Sequence, residues 1–509
     1  MSTVTLDQDT GNASEPLTQK LQFQLSNPSS ASDFNLHGCL DEVLKQVGLS
    51  AQASGGTVTF YGQDPIVPSR FRFGAMAAVA LASRSIALAA LWRSRTGEGQ
   101  DITIDVRKAL RRFCGFQERK WETINGRPPA KGADRDNPFF DLPLFRTTRD
   151  GRHVVALNIY PRLHARALNV LRCSNSSQSI NNAIVQWRAQ ELESAAQEAG
   201  IVIGMVRTNE EFCKELQYTE VLSKMPLVAL EKLGETEPIR FKPDAKNPLD
   251  GIRALGMGHV IAGPGIGRGL AYHGADVLNI WRPDDTEVDA YAWDAQVGMR
   301  STTLDGSKED RARFDHLLKD TDIFFSNRRP GYLERYGLTA EELSERKPGL
   351  IHAKVVLHGE QGPWSNWVGF DEIGAAVAGV FAIEGSPTQP KSPPIIPICD
   401  NVVGWLATAG VLEALRRRAV DGGSYRVVVS LTRTVLWLLS MGIFDKTYAH
   451  EVAGSTDEHM YVAPDLFTAE TSLGTYQGMT DQAVLPRTPG SFRTVLVPRG
   501  SSKPEWIAA

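Results

Sequence analysis

The chain has 509 residues, 42% hydrophobic and 22% charged, with a formal net charge of −4. That length suits two to four domains at roughly 100–200 residues each, and the charge gives no overall pull toward nucleic acid or an anionic membrane. Five scattered cysteines (Cys39, Cys114, Cys173, Cys213, Cys399) form no CxxC pair, which argues against a disulfide framework or a zinc site and for a reducing, cytoplasmic setting. The N-terminus lacks the basic start and apolar core of a secretory signal, and we read no apolar run as long enough to span a bilayer.

In chain order, residues 1 to about 35 read as a mobile tail rich in Ser, Thr, Asn and Gln. "FNLHGCLDEVLKQVGL" has helical spacing and "GTVTFYG" alternates like a strand. Phe71 to Leu91 is a small-residue helix expected to be buried, followed by a Gly-rich turn into the strand of "TGEGQDITIDVRKAL". "FFDLPLFRTTRDGRHVVALNIY" predicts a hairpin around Arg149-Asp-Gly-Arg. Residues 160–215 are helical in pattern, and "KPDAKNPLDG" (242–251) is the clearest linker. Beyond it strands and helices alternate, from "GIRALGM" through "ADVLNI", "TDIFFS" and "GLIHAKVVL" to "GGSYRVVVSL". This order implies βαβ units and a largely parallel sheet. The last fifty or so residues are Gly, Ser, Thr and Pro-rich and read as surface-wrapping coil.

One internal repeat stands out. "AALWRSRTGEGQDITIDV" (89–106) parallels "EALRRRAVDGGSYRVVVSL" (413–431): a helix ending in arginines, a Gly turn, then a strand. The stretch "GMGHVIAGPGIGRGL" opens the alternating half and has the layout of a nucleotide-binding turn. A dinucleotide fingerprint needs G-x-G-x-x-G and an acidic residue ending the next strand. Here the glycines fall at 263, 265, 267 and 269, Arg268 or Leu270 takes the place of the third, and the next strand ends in Trp281-Arg282. NAD therefore fits poorly; NADP or coenzyme A, each with a phosphate on the adenosine ribose, suits the arginine better.

"LDGIRALGMGHVIAGPGIGRGLAYHGADVLNIWRP", "TDIFFSNRRPGYLERYGL", "PGLIHAKVVLHGEQGPW" and "GFDEIGAAVAGV…ICDNVVGWLATAGVLEALRRR" resemble successive blocks of the class III (CaiB/BaiF type) coenzyme A transferases, a family that includes formyl-CoA transferase and α-methylacyl-CoA racemase. The resemblance covers essentially all of 248–440. The upstream half resembles the family's late sheet strand, small domain and return segment, so the chain reads as a long permuted form.

The resemblance implies an α/β fold: a doubly wound parallel-sheet CoA-binding domain, a second, smaller α/β domain, and an interlocked-ring homodimer. The expected units are a tail and short helix (1–55), a partial copy of the late sheet segment (56–135), a small domain and return linker (136–246), the Rossmann-like catalytic domain (247–455) and a C-terminal extended segment (456–509). Asp400 matches the family's nucleophile. A carboxylate just before a helix is stabilised as an anion and can attack a thioester and then carry CoA as an aspartyl thioester. The upstream copy has no Asp or Glu from Pro65 to Gly97, and Met76 falls where the nucleophile would sit, which predicts one active site per chain. His259, Val260, Ile261 and Ala262 match the turn that holds the adenosine end of CoA. Ile261 replaces the glutamine of formyl-CoA transferase, which suggests an apolar acyl group. Arg282, Asn327, Arg328 and Arg335 match CoA-lining positions, and His358-Gly359 marks a strand end at the active-site face, where His358 either orients the thioester or is a turn histidine.

Two-base racemisation needs a His-Asp pair, and here Phe370 precedes Asp371; Asp371 reads as a helix cap. The basic helix end "LRRRA" (415–419) needs no nucleic acid to explain it, and His450 and His459, expected in coil, have no metal-ligand spacing. The expected function is transfer of CoA from an acyl-CoA to a carboxylic acid, with CoA and acyl-CoA as substrates, no permanently bound cofactor, and neither nucleic acid nor membrane as partner. The rivals are a 2-methylacyl-CoA racemase, a non-catalytic CoA-binding protein, and, least, an NADP oxidoreductase.

Overall fold

A computed structural model describes residues 16–113, 118–129, 137–141, 143–242 and 244–507. Cys114 and residues 1–15 lie outside these, and the four described cysteines are free thiols. The chain begins with two helices, α1 (Leu17–Ser26) and α2 (Leu36–Val47). The tail expected through residue 35 thus ends early, because α1 buries Leu21 and packs against the helix Leu431–Ser440.

Next come β1 (Val58–Tyr61), the long helix α3 (Phe73–Thr96), β2 (Ile102–Asp105) and α4 (Val106–Arg111). β1 and β2 are parallel neighbours, so β1-α3-β2 is one crossover unit. Helix α3 is buried from Phe73 to Trp92. It is long and apolar enough to cross a membrane, contrary to the reading that no such run exists. Its full burial instead accounts for a sequence that is apolar all round.

A short strand, β3 (Thr123–Ile124), precedes the smaller unit. In that unit β4 (Phe145–Thr147), β5 (His153–Ala156) and β6 (Ile203–Met205) form an antiparallel sheet. Helices α5 (Pro161–Leu171), α6 (Ser177–Ile184) and α7 (Ala189–Glu198) cover it through Ile180, Ile184 and Leu192. The hairpin at Arg149–Arg152 forms as expected. The supposedly helical 160–215 is interrupted by β6, three buried residues too short to show alternation.

β7 (Ala229–Gly234) then leads into the main sheet: β8 (Arg253–Met257), α8 (Ala262–Tyr272), β9 (Asp276–Trp281), β10 (Arg300–Thr303), α9 (Lys308–Leu318), β11 (Ile323–Ser326), α10 (Ala340–Arg346), β12 (Ile351–Val356), α11 (Asp371–Ala378), α12 (Asp400–Asp421), β13 (Ser424–Ser430) and α13 (Leu431–Ser440). The spatial order is β10-β9-β8-β11-β12-β13-β7, parallel except for β7 at the edge. β7 and β10 were not legible in the sequence: edge strands lack a continuous apolar run. Successive residues face opposite layers. Ala254, Val277 and Ile323 join the core that holds α8 and α12, whereas Leu255, Leu278 and Phe324 meet Phe314 and Leu343 of α9 and α10. The strand order reverses between β8 and β11, and a crevice beyond the carboxyl ends at such a point is the usual ligand site of an open α/β sheet.

The last fifty residues are not only coil. β14 (Leu466–Thr471) and β15 (Gly474–Met479) form a hairpin joined to β3, and β16 (Ala483–Val484) adds to β2. His450 lies in the helix Lys446–Val452 and His459 in a single helical turn.

Candidate active site

β8 ends at Met257 and α8 starts at Ala262, so the glycine-rich stretch opens with a tight turn over Gly258–Ile261. Side chains from three later elements hold it. The Gly258 amide donates to Asn279 Oδ1 at 2.8 Å and the His259 amide to Asn327 Oδ1 at 2.9 Å, while Asn327 Nδ2 donates back to the His259 carbonyl at 2.7 Å. The Val260 amide donates to Glu287 Oε2 at 2.8 Å, and Tyr160 of the smaller unit donates its hydroxyl to Glu287 Oε1 at 2.7 Å. Val260 sits at φ 63°, a strained left-handed conformation for a β-branched residue. Gly263 is required where it is: a Cβ there would lie 2.4 Å from Asn327 Oδ1.

This turn forms one wall of a cleft of about 730 Å³ between the main sheet and the smaller unit. Of the sequence-predicted residues, Asp400, His259, Val260, Ala262, Arg282, Asn327, Arg328, Arg335 and Gly359 line it. Ile261 does not; it lines an adjoining chamber of about 240 Å³. His358 lines neither cavity. It is 1% exposed, its Nδ1 is 2.8 Å from Thr432 Oγ1, and its ring meets the edges of Trp364 and Trp367. Burial, then Arg207, pushes its imidazole down to about 3. It is a neutral core histidine, and its proposed contact with CoA is withdrawn.

The cleft is rich in arginine, though carboxylates line it too. Asp285 accepts from Arg282 Nη2 at 2.7 Å and Arg328 Nη2 at 2.6 Å. Although burial opposes it, these guanidiniums hold the Asp285 carboxyl well below the usual range. Asp285 thus holds both guanidiniums and, four residues past the end of β9, was missed in the sequence. Arg166, Arg329 and Arg335 also line the cleft. Among the described residues none of the three has a carboxylate partner; Arg329 donates to the Gly200 carbonyl at 3.2 Å and Arg166 to the Ala199 carbonyl at 3.2 Å. Unpaired guanidiniums at the mouth of a cleft suit a polyphosphate ligand. Arg329 is the next residue in the "NRRPG" motif; Arg166 arrives from another unit and left no local signal.

Asp400 is the first residue of α12, with Cys399 as its N-cap. It is 7% exposed and lines both the cleft and the chamber. Its position follows from two close packings. Gly404 lies one turn on, where a Cβ would stand 3.3 Å from the Gly265 backbone, so α8 and α12 touch directly. Asp371, the first residue of α11, accepts from the Cys399 amide at 2.8 Å. Asp371 is therefore a helix cap, but for α12 rather than for its own helix. Burial, then the Asp371 charge, pushes the Asp400 carboxyl well above the usual range, so the helix N-terminus does not by itself keep it anionic. Glu372 is raised likewise by burial, then by Asp371 and Asp400. Burial thus acts on Asp371, Asp400 and Glu372 in the same direction, and neighbouring carboxyl charges add to it at Asp400 and Glu372. Cys399, raised by burial and the same charges, is an inert thiol. Phe370 lines both cavities and lies 6.0 Å from the Tyr160 ring.

The fold thus sets a cleft lined by arginines beside a buried carboxylate on an α/β sheet. The sequence profile of CoA-transferase family III matches residues 41–227 and 249–480, and the chain belongs to that family. It is 33% identical over 226 residues to the acetyl-coenzyme A transferase nodX of Hypoxylon pulicicidum, covering 42% of this chain and 38% of that protein. It is also 33% identical over 205 residues to the succinyl-CoA–D-citramalate CoA-transferase of Chloroflexus aurantiacus, covering 38% of this chain and 51% of that one. The chain thus spans about half or less of the length of these relatives. Among solved structures, Rv3272 of Mycobacterium tuberculosis is 30% identical, covers 37% of this chain and 57% of its own, and has a TM-score of 0.34.

Proposed function

We propose that the chain transfers coenzyme A from an acyl-CoA to a carboxylic acid, with Asp400 as the nucleophile. One observation carries this reading: Asp400 lies on the wall common to an arginine-rich cleft and a small apolar chamber. CoA phosphates pair with Arg166, Arg329 and Arg335 in the cleft, and the pantetheine arm brings the thioester to Asp400. Its carboxylate attacks the thioester carbonyl; the C–S bond breaks and CoA leaves as thiolate, giving a mixed anhydride. The thiolate attacks the Asp400 carbonyl, releasing the donor acid and forming an aspartyl-CoA thioester. The acceptor carboxylate then attacks that thioester, and the returning thiolate takes the new acyl group and frees Asp400. Each step exchanges one nucleophile for one leaving group, so protons and electrons balance. The doubly wound CoA-binding domain, the interlocked homodimer and the cytoplasmic setting belong to the same proposal. A racemase reading finds no support at Phe370, whose ring moves no proton.

The test is intact-protein mass spectrometry after incubation with acyl-CoA donors, followed by hydroxylamine. A hydroxylamine-labile adduct that is absent in Asp400→Ala is expected. Bound CoA with no adduct from any donor would overturn the mechanism.

A further inference from the structure

The loop after β9, residues 282–288, is bonded to both sides of the cleft. Toward the glycine turn, the Thr286 carbonyl lies 2.8 Å from His259 Nε2, and Glu287 Oε2 accepts from the Val260 amide at 2.8 Å. A carbonyl can only accept, so His259 Nε2 carries the proton. Toward the smaller unit, Asp284 pairs with Arg162, and Glu287 Oε1 accepts from the Tyr160 hydroxyl at 2.7 Å. One carboxylate therefore bonds to both units. Its Oε1 also accepts from the Val288 amide at 3.0 Å, which fixes it against its own backbone, and its side chain is only 6% exposed. Tyr160 is placed by the fold: it is the N-cap residue of α5, just before Pro161, and its ring lies 5.0 Å from the His259 ring.

We propose that Glu287 and Tyr160 are positioning residues that act as a latch: through them the seating of the smaller unit holds Val260 in its left-handed conformation and keeps the glycine turn in shape for its ligand. Val260 is the residue that needs holding. Among the described non-glycine residues with positive φ it is the only β-branched one. Such a conformation persists where the surroundings over-determine it, and the Glu287 bond is what fixes the Val260 amide. Without the Tyr160 hydroxyl, Oε1 keeps only the Val288 amide. The carboxylate then loses a charge-assisted bond and its grip on Val260 loosens. The ligand named in the proposal rests on the CoA-transfer reading; the latch itself does not. Tyr160 lines the cleft and Glu287 does not. A direct contact of Tyr160 with CoA would therefore survive the loss of Glu287, whereas a latch would not. Glu287 stands in "RPDDTEVDAY" and Tyr160 in "LNIYPR", and neither stretch shows that the two side chains meet.

The experiment takes two readouts on the full chain: hydrogen exchange of a peptide covering residues 258–262 without ligand, and equilibrium binding of CoA by calorimetry. Tyr160→Phe keeps the ring and removes only the hydroxyl. It is expected to speed exchange at the Val260 amide at least about threefold and to weaken CoA binding about three- to tenfold, the scale of one hydrogen bond. Exchange in β8 and β11 is expected to stay as in the wild type. Glu287→Ala is expected to exceed about tenfold in both readouts, because it removes both bonds. In the double variant the effect of Tyr160→Phe is expected to vanish, since the hydroxyl has lost the group through which it acts. Independent, additive losses would overturn the latch. So would unchanged exchange at 258–262 in Tyr160→Phe, or exchange that speeds up equally throughout the chain. If the wild type binds no CoA, the CoA-transfer reading falls, while the exchange readout still decides the latch.

Discussion

Helices α3 and α12 each cross between two parallel strands, β1 to β2 and β12 to β13, and they pack along one another. Each is followed by a strand and then a helix, α4 or α13. At each N-terminus a carboxylate from another segment accepts backbone amides: Asp64 takes those of Gly74 and Ala75 at 3.1 and 2.7 Å in the first turn of α3, and Asp371 takes that of Cys399 just before α12. The two differ in what the first turn meets. Asp400 opens on two cavities, whereas Met76, at the corresponding place, is wholly buried. Further along α3, Arg84 pairs with Asp481 at 2.8 Å in the interior. The repeated crossover thus shares the helix start, while of the two first turns it is that of α12 that opens on the cavities. Asp400 shares its cleft with the β8–α8 turn, the arginines after β11 and the wall of the smaller unit.

The comparison can be broken most directly at Asp400. Asp400→Ala is expected to lower kcat by at least about 10³-fold, the scale seen for loss of a nucleophile, with CoA binding retained in a titration. The converse change, Met76→Asp, should create no second site. A charge buried there without a partner is expected to destabilise the fold by about 3 kcal/mol or more, read by chemical denaturation, while adduct stoichiometry stays at one per folded chain. Gly404→Val forces a side chain into Gly265 and separates α8 from α12. A loss of about 1–3 kcal/mol in stability is expected, together with weaker CoA binding because the turn moves with α8.

Two carboxylate caps give smaller effects. Asp400 must be ionised to attack, and after burial it is Asp371 that raises it. Asp371→Asn keeps a hydrogen-bond acceptor and removes the charge, so the acid limb of the pH–rate profile is expected to move to lower pH. Asp64 is pushed up to about 6 by burial, against the ordinary 3.8. Its folded-state value exceeds its unfolded one, so its contribution to stability is complete below about 3.8 and is lost as pH rises through about 6. Asp64→Asn should flatten the fall in unfolding free energy between pH 4 and 7 by about 1–3 kcal/mol; an unchanged slope would count against this account of the α3 cap.

The amino-acid sequence by itself determined the βαβ order from residue 253, the buried character of α3 and the glycine turn, while Asp400 was singled out through the family resemblance. The first three are local facts: a period of apolar residues, and a glycine where a Cβ would collide. The tertiary structure decided the rest. It turned His358 into the core beside two tryptophans, made Asp371 the cap of a helix 29 residues away in sequence, and set Glu372 on the same chamber as Asp400. It also brought Tyr160 and Arg166 to the cleft from a unit roughly one hundred residues upstream of the turn they face. Side chains converging from distant segments leave no periodicity and no spacing behind. Their meeting is fixed by how sheets and helices stack, because packing and charge act through space rather than along the chain.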